Sequence, residues 1–458
     1  MKTTIAAIGL LVTLLLVAGC EKENEKKKQE PAVSKSRITS IVEGLRSEDK
    51  EVRWEALERL KAAKGGLTPE EVSEALRAAA EKWPDEDNVD GSWELVLNSL
   101  DKQPGHVAEV AELFPRFSYR ARWVAVRYFA MVGNVEAARA YLDLVEQHTE
   151  KVPSASIWEF AGSAETRAVL LPELLKYAAA KNPGFAIQQF ALHLAEQGLV
   201  KEADLAPLAE PLVQAYGALR DRQRAAEQST GDDWMWTPEY FEVSSDVTLL
   251  LDFMGHVPGK VVTDALEQSL GSRDPEVKMY AVLGLVRRGY EVPPKTIEEV
   301  AASAANRQTF YYMLGEIGRR DLCPPQYATQ EALAESRLVE WLCLPSELGR
   351  PPHEIAHMAT FEDFEGKQRY YLFRFRMHKP DERSKDGWMA GVAGPYEVAA
   401  MPTIDGGDDT CSWFTKWGEL TPGEHFEECA EMTTRWREVK AAEAMEQENK
   451  PAKQEAAE

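Results

Sequence analysis

Positive charge is in short supply along this chain of 458 residues. Its 53 Lys and Arg are outnumbered by 76 Asp and Glu, for a formal net charge of −23. No long stripe of Lys and Arg stands out, which argues against a nucleic-acid surface, because phosphate binding needs clustered cations. The acidity instead serves solubility and repulsion from anionic lipid surfaces. Cysteine is scarce too: after Cys20 none occurs until Cys323, Cys343, Cys411 and Cys429. Four late cysteines are what an oxidising compartment would give. Catalytic signatures are also missing, with no G-x-S-x-G, P-loop or dinucleotide fingerprint. The uncharged apolar run Ile5–Val17 is too short, and too closely followed by charge, to span a membrane comfortably.

What that run does have is a basic start, Met1-Lys2, and an end, Val17-Ala18-Gly19-Cys20. These features together resemble the signal peptide and lipobox of bacterial lipoproteins. The resemblance implies removal of residues 1–19, a diacylglycerol on the Cys20 sulfur and acylation of its new amino group. Several acyl chains anchor far more firmly than one. Glu21 is not the Asp that retains enteric lipoproteins at the inner membrane, so the expected location is the outer membrane, facing the periplasm. Residues 20–36 are charged and lack apolar periodicity, which predicts a disordered tether. As a flexible coil its sixteen residues after Cys20 would reach about 22 Å.

Beyond the tether the chain repeats itself. Leu45–Leu60, L-R-S-E-D-K-E-V-R-W-E-A-L-E-R-L, returns as L-G-S-R-D-P-E-V-K-M-Y-A-V-L-G-L at Leu270–Leu285. Each copy reads as a helix end, a capped turn and a new helix; Asp274-Pro275 pairs an N-cap with a first-turn proline. A looser copy places Ala121-Arg122-Trp123 in register with Val52-Arg53-Trp54, with Ser118 as its cap. Thr68 and Glu71 form a capping-box pattern, and Gly133 and Gly198 sit where helices should stop.

The unit L-x-S-x-D-x-E-V-[RK]-x-x-A at 45–56 and 270–281 resembles the HEAT repeat. The resemblance implies an armadillo-type α-solenoid of stacked antiparallel helix pairs over residues 37–344, used to bind protein. HEAT units often carry a turn Asp that bonds an Arg of the next repeat. Ser47 and Ser272 stand at that place, and Lys278 replaces the Arg, so packing is expected to rely on apolar faces. Within this body Trp234, Trp236 and Tyr240 interrupt the pattern. They form either a projecting aromatic binding loop or, the favoured reading, a cover over a helix end. Arg220, Arg222 and Arg224, interleaved with Asp221, read as a solvated face.

The pattern changes near Pro345. In Arg369–Met377, Tyr371, Phe373, Phe375 and Met377 alternate with Tyr370, Leu372, Arg374 and Arg376, which predicts a strand; Gly387–Tyr396 predicts a second. Thr421-Pro422-Gly423-Glu424 is a capping box that opens a helix carrying Phe426, Cys429 and Trp436 on one face. Residues 345–440 therefore read as a small α+β module, and 441–458 as a polar tail. Cys411 and Cys429 are the expected pair within the module. Cys323 and Cys343 could meet around the helix between them, although four thiols allow three connectivities.

His353-Glu354-Ile355-Ala356-His357 matches H-E-x-x-H, which on a helix gives two zinc-ligating histidines and a general base. Pro351-Pro352 and the strand-like residues that follow oppose a helix, and on a strand the histidines stand about 13 Å apart. His378 and Glu382 fall in a connection, and Asp405–Asp409 lacks the EF-hand spacing of a calcium site. The composite expectation is a mainly α protein with a small C-terminal α+β module. It is a non-enzymatic envelope lipoprotein that needs no cofactor and holds another envelope protein. A zinc-dependent hydrolase using His353, Glu354 and His357 is the alternative. A third reading has the C-terminal module bind a small molecule or polysaccharide around Trp388, Trp413 and Trp417.

Overall fold

The computed structural model describes residues 35–63, 68–82, 104–177, 184–229, 234–235, 237–344, 347–363, 365–377, 387–398, 400–401 and 411–431. Cys20, residues 21–34 of the tether, Trp236, Asn182-Pro183, His378, Glu382, Asp405–Asp409, Trp436 and the tail lie outside them; Lys35 and Ser36, expected to end the disordered tether, instead open the first helix. The chain is mainly helical, with a small antiparallel sheet at its C-terminal end. It forms two compact units, Met1–Phe190 and Ala191–Glu458.

The first unit contains α1 (Lys35–Leu45), α2 (Lys50–Ala62), α3 (Pro69–Lys82), α4 (Val107–Leu113), α5 (Tyr119–Val132), α6 (Val135–His148) and α7 (Ala164–Leu174). Helix α1 packs on α2 and α3, α6 on α4 and α5, and α7 on α6. The local chemistry is that of the caps. Thr68 and Glu71 bond each other's backbone N–H (2.8 and 3.3 Å), and Ser118 and Asn134 cap α5 and α6. Gly133 closes α5 at φ +63°, a left-handed position that other residues adopt at a cost.

An arginine at the fourth position of three of these helices reaches back over the preceding turn. Arg53 donates to the carbonyls of Ser47 (3.1 Å) and Glu48 (3.0 Å), Arg122 to Pro115 (3.2 Å) and Arg167 to Ala161. Each gives a partner to carbonyls of the segment that leads into its own helix. The sequence had suggested Arg53 and Arg122 as equivalents; the same contact extends the register to Arg167.

The second unit takes in α8 (Gly184–Glu196) from Ala191 onward. It continues through α9 (Glu202–Leu205), α10 (Ala209–Ser229), α11 (Pro238–Met254), α12 (Lys260–Ser269), α13 (Pro275–Arg287), α14 (Pro294–Ala302), α15 (Arg307–Glu316) and α16 (Gln330–Leu342). Strands β1 (Glu354–Glu362), β2 (Gln368–Arg376), β3 (Trp388–Glu397) and β4 (Cys411–Lys416) follow, with a helix, α17, at residues 422–431. The strands pair in sequence order, all antiparallel, and β1 carries a bulge between His357 and Ala359.

The alternation in β2 builds both faces of the sheet. Tyr371, Phe373, Phe375 and Met377 bury against Ala334, Leu338 and Leu342 of α16. Leu372 and Tyr370 face the other way, toward Cys429 and Phe426 of α17. The close approach of α16 to β3 requires Gly391: a Cβ there would lie 2.9 Å from Leu338 Cδ2 and 3.0 Å from Phe375. Strand β4 was not foreseen; it is short and follows a Gly- and Asp-rich stretch that reads as turn.

Candidate functional site

The two best copies of the repeat fold into the same turn. Ser47 accepts from the N–H of Asp49, and Asp49 from that of Glu51 (3.1 and 2.9 Å). Ser272 accepts from Asp274, and Asp274 from Glu276, at the same two distances. Their surroundings differ. The first turn is exposed, whereas Asp274 is fully buried and joins a polar network. Arg220 of α10 donates to Ser272 (2.8 Å), Gln223 (2.6 Å) and Glu227 (2.6 Å). Gln223 donates to Asp274 (2.8 Å), as does the Tyr240 hydroxyl (2.6 Å).

This corrects two expectations. Packing around the second copy does not rest on apolar faces alone, since Ser272 receives an arginine from a helix some fifty residues earlier in sequence. Arg220 is not on a solvated face; it is 5% exposed, while Arg222 and Arg224 are exposed beside Glu242 and Asp221. The spacing of Arg220, Gln223 and Glu227 at i, i+3 and i+7 was the available signal for one shared helix face. Trp234 and Tyr240 are buried, 3% and 5% exposed, with their rings edge to face at 5.2 Å. They cover the start of α11 and do not project as a loop.

Large exposed aromatics occur in both units, Phe241 and Tyr290 in the second, and all the exposed Trp in the described residues belong to the first. Trp54 of α2 is 41% exposed and Trp123 of α5 is 43% exposed. They hold the same place in the repeat, directly after the clamping arginine. The corresponding Met279 of α13 is 2% exposed. Tyr119 and Trp158 are exposed as well, and the Arg127–Glu159 ion pair (2.7 Å) ties the residue after Trp158 to the turn of α5 that follows Trp123.

The H-E-x-x-H residues are not brought together. Glu354 opens β1, and His353 donates its backbone N–H to the Arg376 carbonyl (2.8 Å). Glu354 pairs with Arg376 (2.7 Å) on one face, while His357 points to the other. There its Nδ1 lies 3.3 Å from Glu331 and its ring rests against Tyr371 and Phe373. Among the described residues no group of three His, Cys, Asp or Glu is placed to hold a metal ion.

On the α17 face of the sheet, cations and rings alternate. The Arg374 guanidinium lies 3.8 Å from the Trp388 ring centroid and 5.5 Å from that of Trp417. Arg376 lies 4.9 Å from the Trp388 centroid, and His425 stacks on Trp417 at 4.2 Å. These ring faces are taken up by side chains of the module itself; the Trp413 side chain lies outside the described residues.

Cys343, directly after α16, and Cys323, at the end of the short turn Arg320–Leu322 that precedes it, carry free thiols. Burial, and then the charge of Glu340, pushes Cys343 up to about 12. Burial pushes Cys429 up to about 12, with Thr415 Oγ1 3.9 Å from its sulfur. Cys411 opens β4 opposite Gly394, its side chain outside the described residues. No helix among the described residues is long and apolar enough to cross a membrane. No family model matches the chain, and no curated protein matches it.

Proposed function

We propose that this chain is a lipoprotein of the bacterial cell envelope, anchored through Cys20 to the outer membrane and facing the periplasm. Its HEAT-like solenoid of helix pairs holds another envelope protein. The observation that carries the reading is the matched exposure of Trp54 and Trp123 at one repeat position. Tryptophan is enriched among binding anchors, and two half-exposed Trp at one repeat position give the first unit anchors that a partner could cover. The recurring arginine clamp at Arg53, Arg122 and Arg167 supports the repeat.

The test is crosslinking in intact envelopes, followed by purification of the tagged full-length chain. Wild type should capture a reproducible partner that Trp54→Ala/Trp123→Ala loses, and Cys20→Ala should release the protein from the membrane. Equal capture by the double tryptophan variant would overturn the binding surface. Membrane retention of Cys20→Ala would overturn the anchor.

A further inference from the structure

A trough of about 740 Å³ runs between α4 and α6 in the first unit. Its most buried lining residues are Val107 and Leu144, 1% and 5% exposed, joined by the half-buried Ala111, Val135 and Ala140. Glu112, Glu136 and Asp143 are exposed along it, with one cation, Arg139, among them. None of the three carboxylates forms an ion pair or side-chain hydrogen bond among the described residues. Arg77, whose charge reaches Glu112, is itself bonded to Glu109 (2.6 Å).

The shape suits a third helix. On α6 the lining recurs from Val135 to Gln147, about 18 Å along the axis, which matches about three helical turns. Alanine at 108, 111 and 140 lets another helix backbone come within the 8–10 Å or so at which helices pack. Both walls are helices whose backbone groups are already bonded, so an added strand would find no edge to pair with.

Charge then selects the occupant, since rim charges steer a partner of opposite sign and repel one of like sign. A second copy of the chain brings a net charge of −23. Its own residues 83–103 hold Asp85, Glu86, Asp87, Asp90, Glu94 and Asp101 against Lys102. Both are repelled where a basic helix is attracted. Resting on the reading that the chain holds another protein, we infer that the trough receives an amphipathic helix of that partner. The helix places a narrow stripe of Leu or Ala against Val107, Ala140 and Leu144, and Lys or Arg beside Glu112, Glu136 and Asp143.

The probes are an amphipathic Leu/Lys peptide of about 12 residues and its counterpart with Glu for Lys, read by fluorescence anisotropy against the detergent-solubilised full chain. The Lys peptide should bind with a dissociation constant below about 100 μM, and the Glu peptide at least about tenfold more weakly. Glu136→Lys/Asp143→Lys should cut the Lys peptide's affinity at least about tenfold. Glu43→Lys/Glu58→Lys, the same change of charge on exposed residues of α1 and α2, should leave it within about twofold. Ala140→Trp fills the trough without altering a charge and should also cost at least about tenfold, with circular dichroism verifying its fold. A photoreactive p-benzoylphenylalanine placed at Ala108 should crosslink to the Lys peptide. Trp54→Ala/Trp123→Ala should change none of these values, so an empty trough and a missing envelope partner are separate outcomes. The inference is overturned if neither peptide binds, if the Glu peptide binds as well, or if the two charge-reversed pairs weaken binding equally. It is also overturned if a folded Ala140→Trp protein binds as wild type does, or if the photoprobe crosslinks to residues 83–103 instead.

Discussion

The Tyr240 hydroxyl donates to the Asp274 carboxylate at 2.6 Å, and the same carboxylate caps α13 through the N–H of Glu276 at 2.9 Å. One buried acid thus joins the start of α11, the Gln223 face of α10 and the first turn of α13. Removing Tyr240's hydroxyl leaves an oxygen of a buried carboxylate one donor short. Tyr240→Phe should cost about 1.5–3 kcal/mol, the range for hydrogen bonds to charged groups. Asp274→Ala also loses the cap and strips Gln223 and Tyr240 of their acceptor, and should cost about 3–5 kcal/mol. Urea unfolding of the two variants checks the order.

Burial, and then the charge of Asp274, pushes Glu276 up to about 7 from 4.5; burial pushes Glu340 up to about 7 as well. The folded chain therefore keeps protons that the unfolded chain has released. Their stabilisation is fully present below pH 4.5 and is lost as pH rises through 7. His256, held down near 4, acts in the opposite sense below pH 6.5, so the informative quantity is a difference between proteins. Glu276→Gln/Glu340→Gln should gain on wild type between pH 5 and pH 8, by up to about 5 kcal/mol for the two groups together. Urea midpoints at several pH values measure it; a constant difference between the two proteins would contradict the assignment.

The Arg374 guanidinium lies against the rings of both Trp388 and Trp417. Arg374→Ala should destabilise the module by about 1–2 kcal/mol and shift tryptophan emission to the red as the ring faces meet water. Arg374→Lys keeps the charge but not the flat guanidinium, and should recover only part of the loss. Fluorescence and urea unfolding together read both effects.

The fit of Leu338 over Gly391 makes a double-mutant cycle possible. Gly391→Ala should cost about 1–3 kcal/mol by overpacking, and Leu338→Ala about 2–5 kcal/mol by leaving a cavity. The combined variant should cost less than their sum, because the new methyl fills space the leucine vacates.

The sequence alone determined the elements whose chemistry is local. Caps at Thr68, Ser118, Asp274 and Thr421 need only the residue and the next turn, so they were legible without tertiary contacts. The same holds for the stop at Gly133 and for the alternation of β2, which told the two faces of the sheet apart. Tertiary structure decided what partners distant in sequence supply. Arg220 is a buried link because Ser272 and Asp274 come to it, while Arg222, two residues on, turns its side chain to solvent. Trp54 and Trp123 share exposure that Met279 lacks, because burial depends on what packs over a helix and not on its register. His353, Glu354 and His357 form a zinc motif only on a helix. Pairing with β2 extends Glu354 and His357 on β1 and sends them to opposite faces, a fact of the sheet that the motif could not carry.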